Sequence, residues 1–144
     1  MTEKIIGCGA LFYSKETNRF LLLHRTQSKQ NRVWGLVGGT TTDELAWQGL
    51  KREIKEEIGD VKILKTIPME TFISNDEAFL YHTYLCVVGP EFLPKLNKEH
   101  DGFAWCTFNH WPKPLHQGLR KTLQSKVNQT KLETVFKILK FLDD

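Results

Sequence analysis

The sequence has 144 residues, of which 40% are hydrophobic and 26% are charged, and its formal net charge is +3. A chain of this size and composition can bury one hydrophobic core, which predicts a single soluble domain over residues 1–144. The basic residues are scattered and form no stripe, which argues against a nucleic-acid-binding module. No apolar run is long enough to span a bilayer and no signal peptide is evident, so we expect no membrane partner.

The cysteines and histidines give no sign of a zinc site. Cys8, Cys86 and Cys106 are widely spaced in apolar, strand-like segments, which favours buried free thiols over disulfides. Free thiols are typical of a reducing compartment, so we expect a cytoplasmic protein. The histidines lack metal-ligand spacing, and we assign no metal to any of them (His24, His82, His100, His110 and His116).

Apolar and β-prone runs separated by turn residues predict strands with interspersed helices. The predicted order is β-β-β-α-β-β-β-α-α, which indicates an α+β fold with a mixed sheet and helices packed on it. The first two strands should form a hairpin, and Gly38-Gly39 should end the third. The predicted strands lie at 5–13, 19–25, 33–37, within 61–74 with a break at Pro68, 78–88 and 101–108, and the two C-terminal helices at 115–125 and 131–142.

A central helix is predicted to end at residue 58. Thr41 followed three residues later by Glu44 has the form of a capping box, which would start this helix. Gly59 is typical of the position just beyond a helix C-terminus. An apolar side recurs every four residues, at Ala46, Leu50, Ile54 and Ile58.

The same helix carries an acidic face. Glu53, Glu56 and Glu57 are three or four residues apart and therefore lie side by side. Their like charges repel, and Arg52, four residues before Glu56, can neutralise only part of this charge. Mg²⁺ binds carboxylate oxygens together with phosphate and water, and it can lower the pKa of an attacking water. The helix alone leaves open the alternative of a solvated surface with ordinary ion pairs.

A longer pattern surrounds the acidic face: Gly38, five residues, Glu44, seven residues, and then Arg52-Glu53-Ile54-Lys55-Glu56-Glu57-Ile58-Gly59. This pattern resembles the signature of the Nudix hydrolase family, and the preceding segment 34–39 resembles the family's lead-in. Glu99-His100 followed by Trp105 also fits the usual layout. The resemblance covers most of the chain and implies an α/β/α sandwich with helices on both faces of a mixed sheet.

Three positions depart from the family pattern. Val37 stands where many members have proline, Asp43 stands where glycine commonly precedes the glutamate, and Asp60 stands where an apolar residue is usual. These departures bear on loop shape and substrate fit and leave the acidic positions intact.

The resemblance implies metal-binding roles for the box residues. Glu53, Glu56 and Glu57 would bind Mg²⁺, with Mn²⁺ as a substitute, and the backbone carbonyl of Gly38 would add a ligand. Arg52 would hold the carboxylates in place. The neighbouring residues have supporting roles: Glu44 would support the helix start or pair with Arg52, and Gly38 and Gly39 would allow a tight loop beside metal and phosphates.

Catalytic and substrate-binding residues are less closely defined. The general base would be a box glutamate, Glu53 or Glu57, or a carboxylate on a later loop, where Glu99 is preferred over Asp101 and Glu77. Arg25 and Gly39 are candidates for substrate binding, with a surface ion pair as the alternative for Arg25. Trp105 is expected to be structural. Aromatic residues that would either stack on a base or belong to the core are Phe12, Phe72, Tyr81 and Phe103.

The implied reaction is Mg²⁺-dependent hydrolysis of the phosphoanhydride bond in a nucleoside diphosphate linked to another moiety. ADP-ribose, a dinucleoside polyphosphate or FAD would be such a substrate. The alternatives are a nucleoside triphosphate pyrophosphohydrolase and a non-catalytic Nudix-like ligand-binding regulator. The only expected partner is a small nucleotide, bound by a monomer or a homodimer.

Overall fold

A mixed sheet with helices on both faces makes up the part of the chain that the computed structural model describes, residues 4–26, 31–41 and 45–142. The α+β prediction is confirmed, with one more strand than expected. The elements are β1 (Ile5–Ser14), β2 (Arg19–Arg25), β3 (Trp34–Gly35), β4 (Val37–Thr41), α1 (Ala46–Ile58), β5 (Lys65–Ile73), β6 (Phe79–Val88), β7 (His100–Cys106), α2 (Gln117–Gln124) and α3 (Lys126–Leu142).

Strand β1 is the centre of the seven-stranded sheet. One edge pairs in parallel with β6 along the whole strand, from Ile5 opposite Phe79 to Ser14 opposite Val88. The other edge of β1 is shared by two strands, because β4 pairs with the first half of β1 and β2 pairs with its last residues. The antiparallel β1–β2 hairpin was predicted and is confirmed. Beyond these strands, β2 continues to β3 and β7, and β6 pairs with β5.

The two faces of β1 pack against different helices, because successive side chains of a strand point to opposite sides. Cys8, Ala10 and Phe12 belong to one buried cluster with the apolar side of α1. Leu11 and Tyr13 belong to a second cluster with α2 and α3. The sandwich of helices on both faces is therefore confirmed. It places α1 and the two C-terminal helices on opposite sides of the same strand.

The start of α1 differs from the prediction. Thr41 is the last residue of β4, and its hydroxyl donates to the carbonyl of Ile6 at 3.2 Å. The residue before the helix is Leu45, which provides no side-chain cap. The capping box is therefore wrong, because pairing with β1 keeps Thr41 extended; Glu44 lies outside the described residues. The helix end is confirmed, since Gly59 follows it with a φ of 91°.

The glycine pair was predicted to end a strand, but it lies within β4. Gly38 and Gly39 pair with Gly9 and Cys8 of β1. A Cβ on Gly38 would lie only 2.1 Å from the carbonyl oxygen of Cys8, so the two backbones meet where a side chain cannot fit. The expected single strand 33–37 is instead divided between β3 and β4.

Three other expectations need correction. Pro68 lies inside β5 without breaking it, because the register shift between Pro68 and Glu70 accommodates a residue with no N–H to donate. Helix α3 begins directly after Ser125, earlier than predicted. Cys8 and Cys86 are buried free thiols as expected, whereas Cys106 is partly exposed. In the described ranges, no helix is long and apolar enough to cross a membrane.

Candidate active site

Glu57 is a carboxylate buried between α1 and the sheet. Its side chain is 2% exposed, and its Oε2 accepts a hydrogen bond of 3.2 Å from the N–H of Gly38. Burial raises the pKa of Glu57 to about 9, and the neighbouring Glu53 and then Glu99 raise it further. The hydrogen bond from the Gly38 N–H lowers this pKa, but it is the weakest of these effects. A carboxylate in this position needs a cation to be charged at neutral pH.

Glu53 lies against the second glycine of the pair. A Cβ on Gly39 would be 2.8 Å from the carboxyl carbon of Glu53, so only glycine leaves room for this side chain. Arg52 Nη1 donates to Glu53 Oε1 at 3.0 Å and approaches Glu56 Oε2 at 3.4 Å. Arg52 therefore spans the two outer carboxylates of α1, of which Glu56 is the more exposed.

A loop before β7 is fastened to α1 by Asn97. The Asn97 amide donates to the carbonyl of Glu56 at 3.2 Å, and its oxygen accepts from the N–H of Glu99 at 3.0 Å. Thr26 holds the same loop from β2, since its N–H donates to the carbonyl of Glu99 at 2.9 Å. As a result, ligand atoms of Glu57, Glu99 and His100 all lie within 4.8 Å of one another.

His100 is the neighbour of Glu57 that sequence spacing did not reveal. Its side chain is 4% exposed, and its Nε2 is 3.7 Å from Glu57 Oε1. Burial and then the charge of Arg25 lower the pKa of His100 to about 4, so the ring is neutral at pH 7. Its other nitrogen, Nδ1, has no hydrogen-bond partner among the residues that the structure describes. His100 meets the helix only through the fold, so the Glu99-His100 pair noted in the sequence did not show that the imidazole ring lies beside Glu57.

The other loop acids lie in different surroundings. Asp101 Oδ1 is 2.5 Å from His24 Nδ1, beside a separate small cavity that both residues line. Glu77 lies in the turn between β5 and β6, with its N–H donating to the carbonyl of Ser74. Within the described ranges, the structure thus groups only Glu99 of the three loop acids with Glu57.

A cavity of about 530 Å³ opens beside the glycine pair. Gly38, Gly39 and Arg25 line one part of it, α2 contributes Lys121, and His116 lines it from the position just before α2. An aromatic wall comes from β5 and β6, with Phe72, Phe79 and Tyr81.

Tyr81 is seated tightly in this wall. A Cβ on Gly9 would lie 2.2 Å from its hydroxyl, so the small residues of β1 make room for the ring. Burial raises the pKa of Tyr81, which keeps the phenol neutral. The remaining aromatic candidates lie elsewhere: Phe12 is a fully buried core residue, and Phe103 is absent from the cavity lining. The expected structural role of Trp105 agrees with its packing on Phe92.

Comparison with known proteins identifies the family. The family model described as NUDIX domain matches residues 4–125. The chain belongs to the Nudix hydrolase family. The resemblance stated above is thereby confirmed, as is the expectation of an enzyme of this family.

Solved structures support the same fold. The chain is similar to a MutT NUDIX hydrolase from Burkholderia pseudomallei, with 22% identity, 86% of this chain and 98% of that chain covered, and a TM-score of 0.66. It is also similar to the NUDIX domain of Shewanella oneidensis NrtR complexed with ADP ribose (14% identity, 92% and 90% covered, TM-score 0.71). A third similar structure is the Nudix hydrolase RenU from M. smegmatis, with 19% identity, 95% of this chain and 87% of that chain covered, and a TM-score of 0.68. No curated protein matched the sequence.

The Nudix helix offers a donor set that fits a divalent cation. Glu57 is buried beside two further carboxylates, and burial, followed by the neighbouring Glu53 and Glu99, raises its pKa, a cost that a bound cation would relieve. Carboxylate oxygens are the ligands that hard divalent ions prefer. The box residues Glu53, Glu56 and Glu57 lie on one helix that Gly38 and Gly39 cover from β4.

Proposed function

We propose that this Nudix hydrolase cleaves the phosphoanhydride bond of a nucleoside diphosphate linked to another moiety, using a bound divalent metal ion. The observation that carries the proposal is the position of Gly38 and Gly39. These two residues contact Glu57 and Glu53 and also line the cavity of about 530 Å³. A substrate in the cavity would therefore have its phosphates next to the carboxylates. In this proposal residues 1–144 act as one domain, in a monomer or a homodimer.

Glu53, Glu56 and Glu57 would hold the metal ion, with the carbonyl of Gly38 as a further ligand. When bound, Mg²⁺, or Mn²⁺ in its place, would supply Lewis-acid chemistry that polarises a phosphoryl oxygen and lowers the pKa of an attacking water. Arg52 orients the carboxylates of Glu53 and Glu56 through its short contacts to both. The N–H of Gly38 fixes one oxygen of Glu57 and leaves the other facing His100.

Glu99 is the proposed general base. It is exposed, unlike Glu57, and Asn97 and Thr26 hold its backbone close to the metal-binding helix. An exposed carboxylate can accept a proton from water and release it to solvent, whereas a buried metal ligand is committed to the ion. Glu53 and Glu57 remain the alternative bases on the helix.

The cavity supports a substrate larger than inorganic diphosphate. Its volume is within the range of sites that bind small organic ligands. Arg25 and Lys121 can bind phosphate oxygens, while Phe72 and Phe79 present rings on which a base can stack. The similar Shewanella domain was solved with ADP ribose, which is a nucleoside diphosphate linked to a second sugar. We therefore place ADP-ribose first, ahead of dinucleoside polyphosphates and FAD.

The test is a substrate panel with Mg²⁺ or Mn²⁺. Purified protein would be given ADP-ribose, a dinucleoside polyphosphate, FAD and oxidised and ordinary nucleoside triphosphates, and the products would be separated by chromatography. We expect metal-dependent release of a mononucleotide from a diphosphate-linked substrate. Release of diphosphate from triphosphates alone would instead identify a triphosphate pyrophosphohydrolase.

Matched variants separate the enzyme from a binding domain. Glu57→Gln should reduce turnover by orders of magnitude, whereas Glu133→Gln, an exposed position on α3, should not change it. Hydrolysis that persists in Glu57→Gln would exclude the proposed metal site. Binding of ADP-ribose without hydrolysis of any compound in the panel would overturn the enzymatic proposal in favour of a ligand-binding regulator.

A further inference from the structure

We propose that His100 supplies an imidazole nitrogen to the metal site, so that this chain binds its ion through nitrogen as well as oxygen. Such a site should favour Mn²⁺ over Mg²⁺ more strongly than a site made of carboxylates alone. The inference rests on the proposed function only in taking the α1 carboxylates as metal ligands.

The first argument is the unmet hydrogen-bonding capacity of His100. The side chain is almost fully buried, and Nδ1 has no partner in the described part of the chain. Nε2 is 3.7 Å from Glu57 Oε1, which is too long for a hydrogen bond. A buried polar nitrogen without a partner is rare in folded proteins, and Nδ1 is one. In a neutral imidazole one nitrogen carries the proton and the other keeps a lone pair, so Nε2 can offer its lone pair to an ion that lies between it and Glu57.

The second argument is the spacing of the donors. Two atoms that each lie about 2.1 Å from a shared ion can be at most about 4.2 Å apart. The 3.7 Å between His100 Nε2 and Glu57 Oε1 satisfies this limit. Glu99, the proposed general base, lies beside this pair, since ligand atoms of all three residues are within 4.8 Å of one another.

The third argument is that the position of His100 is fixed by the fold. His100 begins β7 opposite Arg25 of β2, where the register of the two strands shifts. Its N–H donates to the carbonyl of Asn97, whose side chain is bonded to α1. The strand and the helix therefore hold His100 and Glu57 in place from opposite directions. Preorganisation of this kind is typical of a binding group.

The choice of metal follows from the donor atoms. Mg²⁺ prefers oxygen ligands, whereas sites that contain nitrogen bind the divalent first-row transition metals, with an affinity that is lowest for Mn²⁺ and rises through Fe²⁺, Co²⁺ and Ni²⁺ to Cu²⁺. Exchanging one oxygen donor for nitrogen should thus raise the affinity for Mn²⁺ more than that for Mg²⁺. The competing explanation is that His100 only fills space beside Glu57.

Electron spin echo envelope modulation of the Mn²⁺-loaded full chain distinguishes a His100 that binds the ion from a His100 that only fills space. We expect nitrogen modulation from a directly bound imidazole in the natural protein, and replacement of that signal when histidine is labelled with ¹⁵N. The signal should vanish in His100→Gln and persist in His110→Gln, an exposed histidine beyond the other end of β7. Labelling keeps the test decisive even where a variant folds poorly.

Metal titrations give a second readout. Calorimetry should show that His100→Gln weakens Mn²⁺ binding by roughly 10-fold or more, with a smaller loss for Mg²⁺, as expected when a binding contact is removed. Mn²⁺ bound without a histidine signal in the natural protein would overturn the inference while leaving the carboxylate site intact. If Mn²⁺ binding is also unaffected by Glu57→Gln, the proposed function fails as well.

Discussion

The backbone N–H of Gly38 and the buried carboxylate of Glu57 are joined by a hydrogen bond of 3.2 Å. This bond connects the central sheet to the acidic side of α1. It fixes one oxygen of Glu57 and lowers the pKa of this side chain, although burial and the neighbouring acids act more strongly in the opposite direction. The carboxylate is thus held in place before any cation binds.

Without metal, we expect the protein to lose stability as the pH rises from about 7 to about 9, because the folded state favours protonated Glu57. The pKa of Glu57 is raised from 4.5 to about 9, so its contribution is complete below about pH 4.5 and declines steadily as the pH rises to about 9. His100 acts in the opposite sense between about pH 4 and 6.5, because its pKa is lowered from 6.5 to about 4, so the two effects oppose each other there and the net loss of stability is expected above about pH 6.5.

The measurement is the melting temperature in chelator at several pH values. Glu57→Gln should flatten the decrease above neutral pH, and Glu133→Gln should leave it unchanged. A decrease of the same size in Glu57→Gln would show that another group causes it. Added Mn²⁺ should restore stability to the natural protein, because an ion that binds only the folded state stabilises it.

Gly39→Ala should weaken metal binding without unfolding the protein. The new Cβ would be 2.8 Å from the carboxyl carbon of Glu53, and this flexible side chain must move away. We expect the affinity for Mn²⁺ to fall by roughly 10-fold to 100-fold, as for other groups that position ligands. Gly102→Ala is the matched control, since its Cβ would meet His24 at an ordinary 3.6 Å. Equal affinity in both variants would mean that Glu53 does not bind the ion.

Gly38→Ala should affect the fold itself. Its Cβ would lie 2.1 Å from a backbone oxygen of β1, and a backbone cannot yield as a side chain does. We expect a lower melting temperature in chelator, by several degrees or more. Thermal unfolding of Gly38→Ala and Gly39→Ala side by side would test the distinction. A larger loss in Gly39→Ala would contradict it.

Glu99→Gln should lower the maximal rate at saturating metal by about 10² to 10⁴-fold if Glu99 is the general base. The affinity for metal should change less than in Glu57→Gln. Single-turnover rates measured across a metal titration would separate the two effects. A change in KM with an unaltered rate would show that Glu99 binds substrate and that the base lies on α1.

Phe72→Ala should raise KM and leave the maximal rate nearly unchanged. Phe72 is half exposed at the aromatic wall, so its loss costs little core packing. Loss of one stacking partner corresponds to about 1–3 kcal/mol, or about 10-fold to 100-fold in KM. Phe141→Ala removes an exposed ring on α3 and serves as the control. An unchanged KM in Phe72→Ala would mean that the nucleobase of the substrate binds elsewhere in the cavity.

The sequence predicted those features that depend on local periodicity. The hairpin, the apolar side of α1 and its end at Gly59 follow from alternation, four-residue spacing and glycine's tolerance of positive φ. The predicted start of α1 was wrong because the local capping pattern at Thr41 competes with strand pairing to Ile6. Only the fold brings Ile6 beside Thr41. The break expected at Gly38-Gly39 was wrong for the same reason.

The acidic helix could be found by spacing, but its surroundings could not. His100 and Asn97 approach α1 from a segment far along the chain, and no periodicity connects them. The turn formed by the Asn97 side chain and the N–H of Glu99 is a local signal that could have marked this loop. The cavity could be found only from the structure, because its walls come from several strands and α2.

Glu57 and His100 come from segments on either side of the β5–β6 hairpin. An ion bound to both would therefore act as a removable cross-link that closes a long loop of the chain. Loading with metal should slow proteolysis within the enclosed segment, and chelation should restore cleavage. Metal supply would then influence the lifetime of the protein as well as its turnover.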